Sequence, residues 1–189
     1  MSAEVAARLP AEFRVGGKLV TLRFMRSADR EALLTFARSL EDNDLLFLRR
    51  DITSERDVDV WLREVADGAT TTILAEVDGR IAGYGGLHRN SLRWTAHVAD
   101  MRLLLAPEQR GFGIGGLRAR EIFRLALLEG ISKVIGQLTT SQPAAIATME
   151  SLGFRPEAIL GGHVRDRHGI THDLVTVTYT HLTLPTNRE

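Results

Sequence analysis

The sequence predicts a single α/β domain with a mixed sheet flanked by helices, and three observations predict it. Thr70 to Val77 and Arg80 to Leu87 read as the two strands of a hairpin, on either side of Asp78-Gly79. That dipeptide suits a two-residue type I′ hairpin turn. A strand, a glycine-rich loop, a helix and another strand follow between Trp94 and Leu138, the order of a crossover unit. No internal repeat or linker interrupts the 189 residues, and 44% hydrophobic with 25% charged residues is enough for one sizeable core.

The elements follow in order. Residues 1–17 are expected as an N-terminal extension to a domain over 18–180. Leu19 to Phe24 alternates as a half-buried strand does, and Ser27 and Asp29 offer caps for a helix through Ala32, Leu33, Phe36 and Leu40. Thr53 or Ser54 caps a second helix carrying Val58, Trp61, Leu62 and Val65, which ends near Gly68. After the hairpin and a loop around Asn90 and Ser91, Trp94 to Leu105 reads as one long strand stopped by Pro107. Gly111 to Gly116 opens a helix rich in Leu and Ile that ends at Gly130, and Lys133 to Leu138 is a strand. Pro143 suits the first turn of a helix through Ile146 and Met149, ended by Gly153. Phe154 to His163 and Leu174 to Tyr179 read as strands around the turn Arg167-His168-Gly169. Residues 181–189 resemble a translated cloning adapter and are set apart as a non-native or disordered tail.

Composition excludes several functions. The 24 Lys plus Arg balance the 24 Asp plus Glu, so no global basic field draws nucleic acid or an anionic membrane. There is no cysteine, which removes thiolate metal sites and a cysteine nucleophile. Met1 to Pro10 lacks the layout of a secretion signal, and no apolar run approaches the roughly 20 residues that span a bilayer. A cytoplasmic protein is expected.

Arg110-Gly111-Phe112-Gly113-Ile114-Gly115-Gly116 lies where a strand meets a helix start, and unpaired N–H groups with the helix dipole favour an anion there. The alternative is a glycine turn with packing duties only. Gly111, Gly113 and Gly116 also fit a dinucleotide fingerprint, but the next strand ends at Gln137-Leu138 without an acidic residue. A P-loop needs Lys after its last glycine, where Leu117 stands.

Gln109-Arg110-Gly111-Phe112-Gly113-Ile114-Gly115 resembles the pyrophosphate loop of the GNAT superfamily of N-acetyltransferases, with Arg110, Gly113 and Gly115 filling its pattern. Ala145-Ile146, Met149 and Leu152-Gly153-Phe154 resemble the helix that packs beside coenzyme A in that family. The resemblance is motif-grade from Leu103 to Phe154 and covers Leu19 to Tyr179 in element order. It implies a GNAT-like, mostly antiparallel central sheet and acetyl-coenzyme A as cosubstrate, with no metal. It also implies coenzyme A contacts at Leu103, Leu104, Leu105, Arg110, Gly111, Phe112, Gly113, Ile114, Gly115, Gly116, Gln142, Ala145 and Met149. Two departures stand out: Gln142 where family members often have Asn, and Met149 where they often have the Tyr that protonates the leaving thiolate. A thiol of pKa about 8.5 is only about 2 kcal/mol from protonation equilibrium at neutral pH, so Tyr84, Ser141 or water can substitute.

An amine acceptor of pKa near 10 is almost wholly protonated at neutral pH, so a base or water chain must remove a proton. The resemblance implies an acidic base on the strand before the loop, and Asp100 is the nearest counterpart; pairing with Arg102 or Arg93 is its structural alternative. His97 is the second candidate base. The family comparison further implies that this strand parts from Lys133 to Leu138, leaving N–H groups near Leu104 and Leu105 to polarise the thioester carbonyl. Glu41, Asp42, Asp44 and Asp51 are candidates for an acceptor site that attracts a polycationic amine, or else a solvated acidic turn. His163, Asp166, His168, His172 and Asp173 match no standard metal spacing and read as a hairpin turn. The expected function is acetyl transfer by direct attack of a small-molecule amine, an aminoglycoside leading, with a homodimer allowed. The alternatives are acetylation of protein lysines or N-termini, and an acyl-coenzyme A sensor without catalysis.

Overall fold

Both turn residues of the Asp78-Gly79 hairpin have positive φ, 52° and 72°, the mirror-image turn whose twist matches that of the strands it joins. In the computed structural model of the chain, which describes residues 9–45, 48, 50–89, 93–166 and 168–180, this hairpin is the centre of an eight-stranded sheet. The strands are β1 (Ala11–Val15), β2 (Lys18–Phe24), β3 (Thr70–Val77), β4 (Arg80–Arg89), β5 (Val98–Leu105), β6 (Lys133–Thr139), β7 (Arg155–Arg165) and β8 (Thr171–Tyr179). Their spatial order is β1-β2-β3-β4-β5-β6-β8-β7. Every pairing is antiparallel except β5 with β6, the two strands of the crossover.

Helices α1 (Arg30–Arg38), α2 (Asp42–Leu45) and α3 (Glu55–Ala66) pack on one face of the sheet, and α4 (Ile114–Leu128) and α5 (Pro143–Ser151) on the other. Each start has a local cause. Ser54 accepts a hydrogen bond from the Asp57 backbone N–H at the head of α3. Ahead of α1, the buried Asp29 carboxylate accepts from the Arg26 N–H at 2.7 Å and takes both ends of the Arg23 guanidinium at 2.8 Å. Pro143 opens α5, where its missing N–H costs nothing. Gly130 and Gly153, with φ of 74° and 93°, close the two helices of the second face.

The core divides with the faces. Val20, Leu22, Ile73, Leu87, Ala99 and Met101 pack with Ile122 and Leu125 of α4 on one side. Leu74, Tyr84 and Leu104 pack with Leu34 of α1 and Val58 and Trp61 of α3 on the other. Alternation along β5 therefore puts Asp100 and Arg102 on the α1/α3 face with Leu104.

The structure departs from the sequence reading in three places. The expected extension over 1–17 contains β1, which pairs with β2 from Ala11↔Leu22 to Val15↔Lys18 and buries Phe13 and Val15 partly in the core. Trp94 does not begin a strand: Arg93–Thr95 form a 3₁₀ turn, and β5 starts at Val98, where pairing with Lys133 begins. The four-residue α2 was not expected; it sits where acidic side chains favour a helix start. Asn90, Ser91, Arg167 and the tail over 181–189 lie outside the described residues. Among the described residues, no helix is long and apolar enough to cross a membrane.

Candidate active site

A gap in the sheet is the first feature. β5 and β6 are in register only over Val98↔Lys133, Ala99↔Val134 and Asp100↔Ile135, whereas β5 continues to Leu105 and β6 to Thr139. Arg102 reaches across the opening, donating from Nη1 to the Gln137 carbonyl at 3.2 Å and from Nη2 to Gln137 Oε1 at 2.8 Å.

Backbone alternation decides which groups face this gap. The Ala106 N–H donates to the Ala82 carbonyl at 2.9 Å, so Ala106 points towards β4, and so does Leu104 two residues back in the same register. The N–H groups of Leu103 and Leu105 point the other way, into the gap. The expected donor at Leu104 is thereby corrected: its N–H belongs to the β4 ladder.

At the end of β5 the chain enters the glycine loop. Gly113 precedes α4 with φ of 84° and no side chain caps the helix, so the first N–H groups of a 15-residue helix remain open to an anion. Gly111 has φ of 81° and nothing near its missing Cβ. Phe112 is exposed, Gly115 and Gly116 are half-buried in the first turn, and Ile114 is fully buried as its anchor.

Two braces hold this loop. Lys18 Nζ donates to Gln109 Oε1 at 2.8 Å and lies 3.9 Å from the centre of the Phe112 ring, while a Cβ on Gly16 would overlap the Phe112 backbone. From the other side Asp44 binds Arg110 Nη2, and Arg110 also donates to the Leu105 carbonyl from Nε at 3.2 Å and Nη2 at 3.1 Å. These braces were not legible in the sequence, because their partners are up to 91 positions apart. The open helix start, the exposed loop and the adjoining gap fit a pyrophosphate with an extended chain attached.

Asp100 occupies the last paired position before the gap and lies opposite His88 in the β4 register. His88 Nδ1 is 2.9 Å from Thr70 Oγ1. Sequence reasoning missed His88, although the alternation of β4 already puts it on the face of Tyr84. Tyr84 packs edge-on against Trp61 at 4.7 Å, and burial pushes its hydroxyl up to about 12, so the phenol keeps its proton at neutral pH. Trp61 Nε1 in turn donates to Thr72 Oγ1 at 3.2 Å.

The remaining candidates lie in the turn before β5 and in and just before α5. His97 is exposed in the turn before β5, and its carbonyl accepts the N–H groups of Ser132 and Lys133; its contribution is to start the β5–β6 ladder. Gln142 folds back so that Oε1 accepts from the Thr139 N–H at 3.1 Å, and Ala145 is half-buried in the first turn of α5. Met149 is buried with its methyl over Gly136 of β6, where any Cβ would overlap it. Ser141 Oγ is held 2.8 Å from Thr139 Oγ1.

The four acidic candidates differ in their surroundings. Asp44 is tied to Arg110, Asp51 accepts from the Thr53 N–H at 3.0 Å and its hydroxyl at 2.6 Å, and Glu41 and Asp42 are exposed. In the last hairpin, Asp166 accepts from the His168 and Ile170 N–H groups and lies 2.8 Å from His172 Nε2, so its oxygens are spent on the turn. His163 and Asp173 are exposed, and Asp173 accepts from the Gly162 N–H.

Known proteins share this fold. Residues 35–154, well over half the chain, match the acetyltransferase (GNAT) family. No curated protein matches in sequence. Among solved structures, yncA of Salmonella typhimurium with its cofactor acetyl-CoA superposes with a TM-score of 0.74 at 18% identity, covering 90% of this chain and 98% of that one. A ribosomal-protein-alanine N-acetyltransferase from Brucella melitensis gives 0.74 at 21% identity, covering 84% and 98%. A spermidine N-acetyltransferase chimera from Vibrio cholerae and hSSAT gives 0.71 at 17%, covering 85% and 95%. The chain belongs to the acetyltransferase (GNAT) family and is an acetyl-coenzyme A-dependent N-acetyltransferase.

Proposed function

We propose that the chain acetylates a primary amine of a small molecule by direct attack, with a polycationic amine such as an aminoglycoside as acceptor. The observation that carries the reading is the position of Asp100 at the mouth of the β5–β6 gap, on the face opposite α4. The acetyl donor then enters from the glycine-loop side and the amine from the α1/α3 side.

In this reading the open N–H groups at the head of α4, with Arg110, Gly111, Phe112, Gly113, Ile114, Gly115 and Gly116, hold the pyrophosphate. Gln142, Ala145 and Met149 wall the gap from α5. The N–H groups of Leu103 and Leu105 stabilise charge on the thioester oxygen. The amine nitrogen forms its bond to the acetyl carbon as the C–S bond breaks, Asp100 takes the amine proton, and the leaving sulfur takes a proton from Tyr84 or water. No cysteine is present to carry a covalent acetyl group. Glu41 and Asp42, exposed beside α1, add negative potential to the acceptor side.

The test is thiol release from acetyl-coenzyme A with aminoglycosides, polyamines and lysine peptides as acceptors. Asp100→Ala is expected to lower kcat about 100-fold or more, the weight of a lost general base, and His97→Ala to leave it within a few-fold. Turnover confined to lysine peptides would reassign the enzyme to protein acetylation. Binding of coenzyme A without turnover on any acceptor would make it a sensor.

A further inference from the structure

Arg118 is the largest fully buried side chain of the described residues, 1% exposed, on the face of α4 that also buries Ile114, Leu117 and Ile122. Its Nη1 donates to two carbonyls of the sheet, Tyr84 at 2.7 Å and Leu104 at 2.5 Å. Among the described residues no carboxylate pairs with it, and burial draws its pKa down to about 10. A guanidinium placed this way is costly, and an apolar side chain of similar volume is the cheaper occupant.

The backbone does not require it. Tyr84 and Leu104 face one another as an exchanging pair of the β4–β5 ladder, so both carbonyls already have N–H partners. The neighbourhood is nevertheless shaped around the guanidinium: a Cβ on Gly83 would lie 2.6 Å from Nη1 and would overlap the Leu104 carbonyl.

The Leu104 carbonyl and the Leu105 N–H belong to one planar peptide group. A charged donor on that oxygen draws electron density through the amide and leaves the N–H more positive, the cooperative strengthening of linked hydrogen bonds. The Leu105 N–H faces the gap; Leu103 offers a second N–H there, but its peptide carbonyl, on Arg102, is not held by Arg118. We propose that Arg118 is a positioning residue that acts through the Leu104–Leu105 peptide, making the Leu105 N–H the stronger donor to the thioester oxygen as that oxygen takes up negative charge. This rests on the reading of the gap as the thioester site.

Arg118→Met and Arg118→Lys test it, with thermal stability, acetyl-coenzyme A affinity, kcat and the carbonyl stretch of bound carbonyl-¹³C acetyl-coenzyme A as readouts. The expected result for Arg118→Met is an unchanged or higher Tm, affinity within about 3-fold, kcat lower by about 10- to 100-fold, and a stretch moved to higher frequency; Arg118→Lys restores part of both losses. A kcat within 2-fold of the wild type, or an unmoved stretch, overturns the proposal. Should Arg118→Met fail to fold, ¹⁵N-leucine spectra of the wild type decide. On acetyl-coenzyme A binding the Leu105 amide proton must move downfield by more than that of Leu103, and an equal or smaller shift overturns the proposal. Absence of acetyl-coenzyme A binding by the wild type removes the reading of the gap itself, a failure distinct from either.

Discussion

Asp29 shows how much one side chain carries when its partners are fixed by the sheet. Burial pushes its carboxyl up, but the Arg23 guanidinium and the Arg26 N–H outweigh that and hold it below the ordinary aspartate value. Arg23 is shared with Glu76 of β3, so one ion cluster ties β2, β3 and the entry to α1 together. A folded-state value below the unfolded one gives stability that is fully present above the unfolded pKa and is lost as the pH falls through the folded one. Asp29→Asn is expected to cost about 3 kcal/mol, because it leaves a mostly buried guanidinium short of a partner. Urea unfolding at neutral pH measures that loss, and the same titration near pH 3 is expected to show a smaller gap between the two proteins. At this scale the sequence was partly readable. Asp29 was legible as a capping group and Asp100 as an acid on the strand before the glycine loop, since both follow from local spacing. Arg118 and Arg110 take their meaning from Leu104 and Asp44, which only the folded chain brings near.

The β1–β2 hairpin is the edge of the sheet and also supports the glycine loop. Its turn, Gly16-Gly17, has φ of 56° and 77°, values that cost an L-residue about 1 kcal/mol or more at either position. The two glycines differ in what they touch: a Cβ on Gly16 meets Phe112, and one on Gly17 meets nothing within 4 Å. Gly16→Ala and Gly17→Ala therefore carry similar strain, but only the first displaces the loop proposed to hold the pyrophosphate. Gly16→Ala is expected to raise the KM for acetyl-coenzyme A several-fold with little change in kcat, whereas Gly17→Ala leaves both alone. Equal KM values would mean that the hairpin supports only the fold. Strand β1 escaped the sequence reading because five residues before a glycine pair give too short an alternation to stand out. The Asp78-Gly79 hairpin, the Pro143 start and the Gly153 stop were legible because each is written in turn and cap chemistry. The order of strands across the sheet is not written that way; it comes from which faces the helices cover.

The molecule as a whole is two part-sheets, β1 to β5 and β6-β8-β7, joined at three paired positions and by the Arg102 bridge. On the second face α4 packs against β4 and β5 and α5 against β6, so the two helices flank the same seam. A ligand seated in the gap, as proposed, would bond to N–H groups that point away from the β4 ladder and would span both part-sheets. Acetyl-coenzyme A at about 100 times its Kd is expected to stabilise the fold by about 2.7 kcal/mol. For a domain of this size that raises Tm by about 5–10 °C. Mass action alone would give that rise for any site, so hydrogen exchange supplies the sharper measurement. In the ligand-free protein the Leu104 amide, held by β4, should exchange slowly, and those of Leu103 and Leu105 faster. Acetyl-coenzyme A should slow the latter two while leaving Leu104 as it was. A rise in Tm without that alternating protection would put the ligand on the glycine loop but outside the gap, and the chemistry assigned to Asp100 and Leu105 would then have no thioester within reach.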